Sequence, residues 1–509
     1  MQQRIYFRVD ASADIGVGHV FRCLSLANYF SQIGYQCSFI CKYHVSAPFS
    51  LIESAGYSLY KLPLEKEFEA SDEYSEWLGS SEQWDAQSIL NLNLPKANLL
   101  VVDHYGISAQ WEAEVANLAD KILVIDDLAN RNHQCDYLVD TAIGRTLEEY
   151  EALVSENCEC LIGPNFSILK QEFTYLRKHA EQKRIKQNKI EHVLVAMGGT
   201  DPKKLTLMAL MAIEQLESYP KVTVILSSSC TWLDELKAHI SSRQLNWVTL
   251  KIDIQDMPQE ILNADFAIGA FGVGAIERCY LGLTSLNCVV AENQTYQSQA
   301  MIEASLCLAC QPDDLESSIT SIFGRFKSDL ISNLDALSHA GLSTFKENGI
   351  ENISQVIHAN QLHALTYVDV NQQHKNLLYY WQTMPDTRKY FHNTQVPSYD
   401  DHTQWFDGLL KNQDRRMWIL VYDWQPAGYI RLDTLSDHSE EVSIFVASQF
   451  RGNKIAFKAL NWAKLHTKNA NLKAQVHSDN QASKALFLSC GFVQEDSSIN
   501  YEWRPEYEV

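Results

Sequence analysis

Arg8, Asp10, Asp14, His19 and Arg22 crowd one short stretch that also carries Gly16 and Gly18. A histidine beside a carboxylate is the usual way to make a general base that works near neutral pH. Asp14 or Asp10 is the expected partner that orients or charge-tunes His19. Paired glycines let the backbone turn tightly and approach a ligand with no Cβ in the way. A loop that only connects two elements has no need of five ionisable groups. The stretch therefore reads as a ligand site with proton-transfer chemistry.

The elements around it place it. The apolar run Ile5-Tyr6-Phe7 precedes it, and Val20, Leu24 and Ala27 recur at i, i+4 and i+7 after it. That is strand, glycine loop, helix, with His19 at the helix start. A helix N-terminus favours an anion. Further continuous apolar runs at 4–9, 37–41, 98–102, 122–125 and 159–162 predict a parallel sheet covered on both faces. The run at 98–102 ends in Asp103-His104-Tyr105-Gly106, and that at 122–125 in Asp126-Asp127. Both endings fall on the same carboxyl edge as His19, where open α/β sheets bind ligands.

A charged run over 177–192 reads as a solvated helix and linker. A second α/β unit then begins with a strand at 193–197 that runs into Gly198-Gly199-Thr200-Asp201-Pro202. Thr or Asp caps a helix expected from Pro202, and the Gly-Gly turn has the form of a phosphate cradle. Strands follow at 222–226, 247–250, 266–268 and 285–290. Gly272, Gly274, Glu277 and Arg278 make another strand–glycine loop–helix turn, and Asn293-Gln294 follows the last strand. No Gly-x-Gly-x-x-Gly with an acidic residue about 20 positions later follows a first strand, which argues against a dinucleotide oxidoreductase.

From about 364 the pattern changes to aromatic and polar residues. Strands at 417–422 and 427–432 flank the hairpin signal Asp423-Trp-Gln-Pro426, and an alternating strand covers 442–446. Gln449-Phe-Arg451-Gly452-Asn453-Lys454-Ile455-Ala456 then leads into a helix with Ala459, Leu460 and Ala463 on one face. Successive loop N–H groups at a helix N-terminus are suited to a pyrophosphate. A strand at 472–477 and Asn480…Phe487…Gly491-Phe492 complete the unit.

Residues 1–360 resemble the UDP-2,4-diacetamido-2,4,6-trideoxy-β-L-altropyranose hydrolases of pseudaminic acid biosynthesis. That family opens with Arg-x-Asp…Gly-x-Gly-His…Arg-Cys-Leu, matched here by Arg8, Asp10, Gly16, Gly18, His19, Arg22 and Cys23. The second half also resembles the donor-binding domain of the GT-B superfamily, which includes the lipid II glycosyltransferase. The resemblance implies Arg8, Gly18, Arg22, Asp103 and Tyr105 against substrate, with Asp126 and Asp127 in the same cleft. It implies Gly198, Gly199 and Gly274 near the diphosphate, Glu277 on the ribose, and Asn293 and Gln294 near the sugar.

Residues 364–509 resemble GNAT acetyltransferases. That likeness implies Gln449, Arg451, Gly452, Asn453, Lys454, Ile455, Ala456 and Asn480 at acetyl-CoA. Lys454 replaces the second glycine of the family signature, and Phe487 stands where many relatives carry a tyrosine that protonates the departing thiolate. Tyr501 or a water is then the expected donor, and Glu440 or Glu441 a candidate proton relay. The architecture expected is α/β throughout: two Rossmann-like domains in a GT-B arrangement (1–176 and 190–360), then a mixed α/β GNAT domain (364–509).

The implied activity is hydrolysis of the UDP-diacetamido sugar with inversion at C1. The fused N-acetyltransferase is implied to act on the 4-amino group of the UDP-amino-sugar precursor. The alternative is a GT-B glycosyltransferase using a UDP-sugar donor, with the GNAT domain acetylating a different amine. No cofactor is expected for the hydrolase, acetyl-CoA is the co-substrate of the GNAT domain, and no residue spacing demands a metal. A net charge of −21 and pI near 5.2 argue against a general nucleic-acid or membrane-surface binder. No run approaches the apolar residues of a membrane span, about 20. Twelve scattered cysteines, mostly in apolar runs, fit a reduced cytoplasmic protein. Cys307-Leu-Ala-Cys310 lacks the second pair that a zinc site needs.

Overall fold

A computed structural model describes residues 3–504 except 13–14, 45–46, 255, 291–293, 325–327, 360, 362–363, 391–392, 468–470 and 496–498. The apolar runs become three sheets. The first has seven parallel strands, in the order Ser58–Leu62, Gln36–Lys42, Arg4–Val9, Ala97–Asp103, Ala119–Ile125, Tyr137–Asp140 and Glu159–Ile162. The second has six, in the order Val248–Ile252, Lys221–Leu226, His192–Ala196, Phe266–Ala270, Ser285–Cys288 and Leu308–Cys310. Both are parallel, Rossmann-like sheets in which chain order reverses beside the first strand, so each has a switch point at its carboxyl edge.

The third sheet is mixed. Its strands run in the order Leu365–Asp369, Arg415–Tyr422, Gln425–Thr434, Glu440–Val446, Leu472–Gln475, Asn500–Trp503 and Val493–Gln494. All neighbours are antiparallel except Glu440–Val446 with Leu472–Gln475, which are parallel and pair only at Glu440↔Leu472 and Glu441↔Lys473. Beyond Glu441 these two strands part and leave a cleft between them. No helix among the described residues is long and apolar enough to cross a membrane.

The chain crosses between the first two units at Ile168 and Leu169, which belong to the first and second cores respectively. The expected solvated linker is instead a structural strut. Its helix, Gln171–Lys186, turns its basic residues onto the C-terminal carbonyls of neighbouring helices. Arg177 donates to the carbonyls of Tyr280, Leu342 and Phe345, Lys183 to those of Leu262, Asn263 and Ala264, and Arg184 to those of Ile261, Ala264 and Leu281. Cations belong at helix C-termini, where carbonyls lack partners and the dipole is negative. Charge spacing alone does not distinguish this from a wet helix.

The helix Gly349–Ile357 returns to the first unit, with Ile350 and Ile353 in its core. Gly349 lies so close to Phe166 that a Cβ would fall 2.0 Å from the Phe166 carbonyl carbon. The stretch 190–360, expected as one unit, thus ends against the first sheet. The third unit packs there too. Tyr29 donates to the Trp424 carbonyl at 3.0 Å, the Trp424 ring stacks on His358 at 3.8 Å, and Tyr175 stacks on Tyr380 at 4.0 Å. Asp423 and Trp424 both take positive φ at the hairpin tip, a type I′ arrangement that the stacking holds.

Candidate active site

The first strand ends at Val9, in register with Asp103 on its neighbour. The loop beyond carries Gly16 at φ +78, and the helix Gly18–Gln32 starts beside Asp103. The carboxylate on His19 is therefore Asp103, whose Oδ1 lies 2.6 Å from His19 Nδ1. Arg22, one turn along, donates from Nε to Asp103 Oδ2 at 2.5 Å and from Nη2 to Oδ1 at 2.6 Å. Its Nη1 reaches Asp127 at 3.2 Å, and Tyr105 donates to the other Asp127 oxygen at 2.5 Å. The Tyr105 ring packs edge-on to His19 at 4.8 Å, with Tyr74 and Trp77 against its other sides.

Charge decides the tautomer. An ionised carboxylate only accepts, so Nδ1 carries the hydrogen and Nε2 keeps its lone pair for a proton. Burial pushes the Asp103 carboxyl up, but the Arg22 and His19 contacts more than reverse this and hold it below the usual range. Asp103 stays ionised behind the imidazole and can stabilise an imidazolium.

Arg8 and Asp10 go elsewhere. Arg8 is fully buried, with a two-pronged bond to Asp85 at 3.1 and 2.9 Å and a third to Asp10 at 2.6 Å. Lys42 joins Asp85 at 2.6 Å, and His104 Nε2 lies 3.2 Å from Asp10 Oδ2. Residues i and i+2 of an extended chain share a face, so Arg8 and Asp10 enter this network together. The expected roles of Asp10 on His19 and of Arg8 on substrate are thus not what their contacts show. Both hold the floor under the loop. Asp14 lies outside the described residues.

Across the cleft, Gly198 sits at φ +100 with open space where a Cβ would be, and Gly199 approaches Ser227. The helix expected from Pro202 begins at Leu205, and Asp201 caps it by accepting from Leu205 N at 3.0 Å and Thr206 N at 2.8 Å. That helix end is occupied. The helix Val273–Tyr280 has Gly272 at its N-cap, at φ +113 and without a side-chain cap. Ala275 N bonds back to the Gly272 carbonyl at 2.9 Å, while the N–H groups of Val273 and Gly274 have no side-chain cap, an arrangement suited to an anion.

Glu277 lies one turn further on, and burial pushes its carboxyl up to about 7 against the opposing charges of Lys170 and Arg278. Gln294 accepts from Val290 N at 3.1 Å, and its amide nitrogen lies near Gly272. Asn293 lies outside the described residues.

In the third unit Gln449 sits in the turn Ser448–Phe450, and Arg451 donates to the Val446 carbonyl at 3.2 Å. Gly452 takes φ +89 with nothing within 4 Å of a Cβ position, and Asn453 ties back to Phe450 at 3.1 Å. Lys454 takes φ +58, so its side chain is accommodated in the left-handed region rather than expelled from the loop. The helix Ile455–His466 follows, with Ile455 buried and no side-chain cap at its start. Asn480 caps the next helix by accepting from Ser483 N at 3.1 Å.

Glu440 is buried on Arg416 at 2.9 Å and accepts from Thr467, which makes it a structural anchor. Phe487 packs against Phe492 and Tyr501, and the buried Tyr501 hydroxyl has no hydrogen-bond partner among the described residues.

Asp85, Lys42, Trp77 and Lys170 escape the sequence reading. Their neighbours in the chain carry no motif, and contacts distant in sequence bring them to this edge.

Residues 378–492 match the model of the acetyltransferase (GNAT) family. Over 206 residues the chain is 31% identical to the UDP-2,4-diacetamido-2,4,6-trideoxy-beta-L-altropyranose hydrolase of Campylobacter jejuni, covering 40% of this chain and 63% of that protein. An uncharacterized protein of Methanocaldococcus jannaschii is 23% identical over 524 residues, 99% of each chain. Among solved structures, MurG of Acinetobacter baumannii superposes with a TM-score of 0.50 at 14% identity, over 70% of this chain and 99% of that one. The last likeness is one of fold, and it is the GT-B-like pairing of two parallel-sheet units.

Proposed function

We propose that the two parallel-sheet units hydrolyse a UDP-linked 2,4-diacetamido-2,4,6-trideoxyhexose, with inversion at C1. The observation that carries this reading is the His19–Asp103 pair at the glycine loop of the first unit, to which the uncapped helix Val273–Tyr280 of the second adds a place for the diphosphate. His19 Nε2 takes a proton from water as the water oxygen bonds to C1. The C1–O bond to UDP breaks, and its electron pair leaves on the β-phosphate. First-turn N–H groups after Gly272 receive that charge, a placement preferred over the Asp201-capped helix. The likeness to the Campylobacter hydrolase supports the substrate class.

The third unit acts in this reading as an acetyl-CoA-dependent N-acetyltransferase on the 4-amino group of the UDP-amino-sugar precursor. The loop 451–454 is exposed, a Cβ at Gly452 would meet nothing, and the strands part beside it, so the pyrophosphate and the pantetheine arm both have room. Acetyl-CoA would supply the acyl group, and the chain's part is to hold its pyrophosphate at the N-terminus of Ile455–His466. One chain would then catalyse consecutive steps.

An NMR time course on the full chain with the UDP-diacetamido sugar and no acetyl-CoA tests the first activity. UDP and free sugar of inverted anomeric configuration are expected. Release that requires an added acceptor would instead make the protein a glycosyltransferase.

A further inference from the structure

We propose that Lys170 binds the diphosphate of the nucleotide ligand and takes up its charge as it leaves. The proposal rests on the nucleotide-sugar reading above and adds a residue to it.

Lys170 stands where the chain passes from one unit to the other, directly after Ile168 of the first core and Leu169 of the second. Its ammonium lies 5.5 Å from the ring of Phe21, which is exposed on the first turn of the helix that bears His19. Its charge also acts on Glu277, ahead of that of Arg278, one turn from the uncapped Gly272–Gly274 end. The ammonium thus lies against the helix that bears His19 and acts electrostatically on the helix that bears the proposed cradle.

Three arginines of the same two units are committed. Arg22 is held by Asp103 and Asp127. Arg145 is held by Asp140, Glu149 and the Asp127 carbonyl. Arg278 donates behind the sheet edge to the Ala270 carbonyl and Asn287. Among the described residues the Lys170 ammonium makes no ion pair or hydrogen bond. A helix N-terminus offers about half a positive charge, less than a departing diphosphate carries. In the proposed step the C1–O electron pair goes to the β-phosphate oxygen, the water proton goes to His19, and Lys170 keeps its proton and stays cationic.

The test uses the full chain and Lys170→Met, which keeps a stem for Phe21 and removes the charge, with Lys170→Arg beside it. UDP and uridine are titrated separately by calorimetry, and Tm is recorded for each variant. Lys170→Met is expected to lose UDP affinity roughly 10- to 100-fold, the scale of one charge-assisted contact. Uridine affinity and Tm should hold, and Lys170→Arg should recover most of the UDP affinity. Unchanged UDP affinity in Lys170→Met, an equal loss for uridine, or no UDP binding by the wild type would each overturn the proposal. A wild type that binds UDP yet releases no sugar would refute hydrolysis alone and leave the Lys170 result standing.

Discussion

Asp103 holds His19 and Arg22 at once: Oδ1 accepts from His19 Nδ1 and Arg22 Nη2, both at 2.6 Å, and Oδ2 from Arg22 Nε at 2.5 Å. One carboxylate therefore fixes the imidazole tautomer and the guanidinium behind it. Asp103→Asn keeps the shape but cannot balance an imidazolium, and its amide can turn an N–H toward Nδ1 and favour the wrong tautomer. The rate of UDP release is expected to fall by about 10²–10⁴-fold, the range for a disabled general base. UDP affinity, read by calorimetry, should stay near wild type because the proposed diphosphate site lies on the second unit. A loss of affinity matching the loss of rate would place Asp103 on substrate instead.

Arg8 and Arg22 separate stability from chemistry. Arg8 is fully buried among Asp10 and Asp85, so Arg8→Met leaves two buried carboxylates with Lys42 as their one full cation and His44, His104 and Trp111 as further partners among the described residues. Breaking a buried pair from one side costs roughly 3–5 kcal/mol, and urea unfolding should show a loss of that order. Arg22 keeps 15% of its side chain exposed at the cleft and leaves one buried carboxylate, Asp103, on His19, so Arg22→Met should lose less stability than Arg8→Met and fail in turnover. A substrate-binding Arg8 would give the opposite pattern, with a raised KM and an intact midpoint.

Glu277 gives a pH-dependent prediction. Its carboxyl is raised from 4.5 to about 7 in the folded chain, chiefly by burial. Between those values the native state holds a proton that the unfolded state has lost. Stability conferred by that proton therefore declines as pH rises from about 4.5 to about 7 and is gone above it. Glu277→Gln removes the cost of burying the charge. At pH 8 its Tm should exceed that of the wild type by about 2–4 °C, the equivalent of roughly 1 kcal/mol, and at pH 4 the two should coincide. Uridine should bind the variant more weakly, since the amide is a poorer acceptor for ribose hydroxyls. A Tm difference that does not change with pH would show that Glu277 is not the group responsible.

The long buried strands were legible because parallel strands covered on both faces must be apolar throughout. Arg4–Val9, Gln36–Lys42, Ala97–Asp103 and Lys221–Leu226 all lie where continuous apolar runs place them. Ser58–Leu62, Leu308–Cys310 and Leu365–Asp369 run along sheet edges, are short, and are only partly covered, so no run marks them. His19 was legible from its loop, but its partner was not. The nearest carboxylates in sequence are Asp10 and Asp14, whereas Asp103 arrives through the sheet order that sets Ala97–Asp103 beside Arg4–Val9. The glycine turns were legible as turns. Asp201 as a cap was legible with them, but its reach to Leu205 and Thr206, rather than to a helix starting at Pro202, was not, because it depends on the turn between.

Tyr501 offers the sharpest test of the third unit. Phe487 has no hydroxyl to give a departing thiolate, and its ring lies 6.1 Å from that of Tyr501. The Tyr501 hydroxyl is buried without a partner among the described residues, on the strand Asn500–Trp503 that pairs with Leu472–Gln475, one wall of the cleft where the strands part. An orphaned buried hydroxyl brings no folding benefit, and replacing it with an apolar group of the same shape is close to neutral or stabilising. Tyr501→Phe should therefore match or exceed the wild-type Tm. If the phenol protonates the thiolate of CoA, acetyl transfer in the same variant should fall by about 10²-fold or more, with acetyl-CoA affinity unchanged. Transfer at the wild-type rate with a raised Tm would make Tyr501 a packing residue and assign the proton to water.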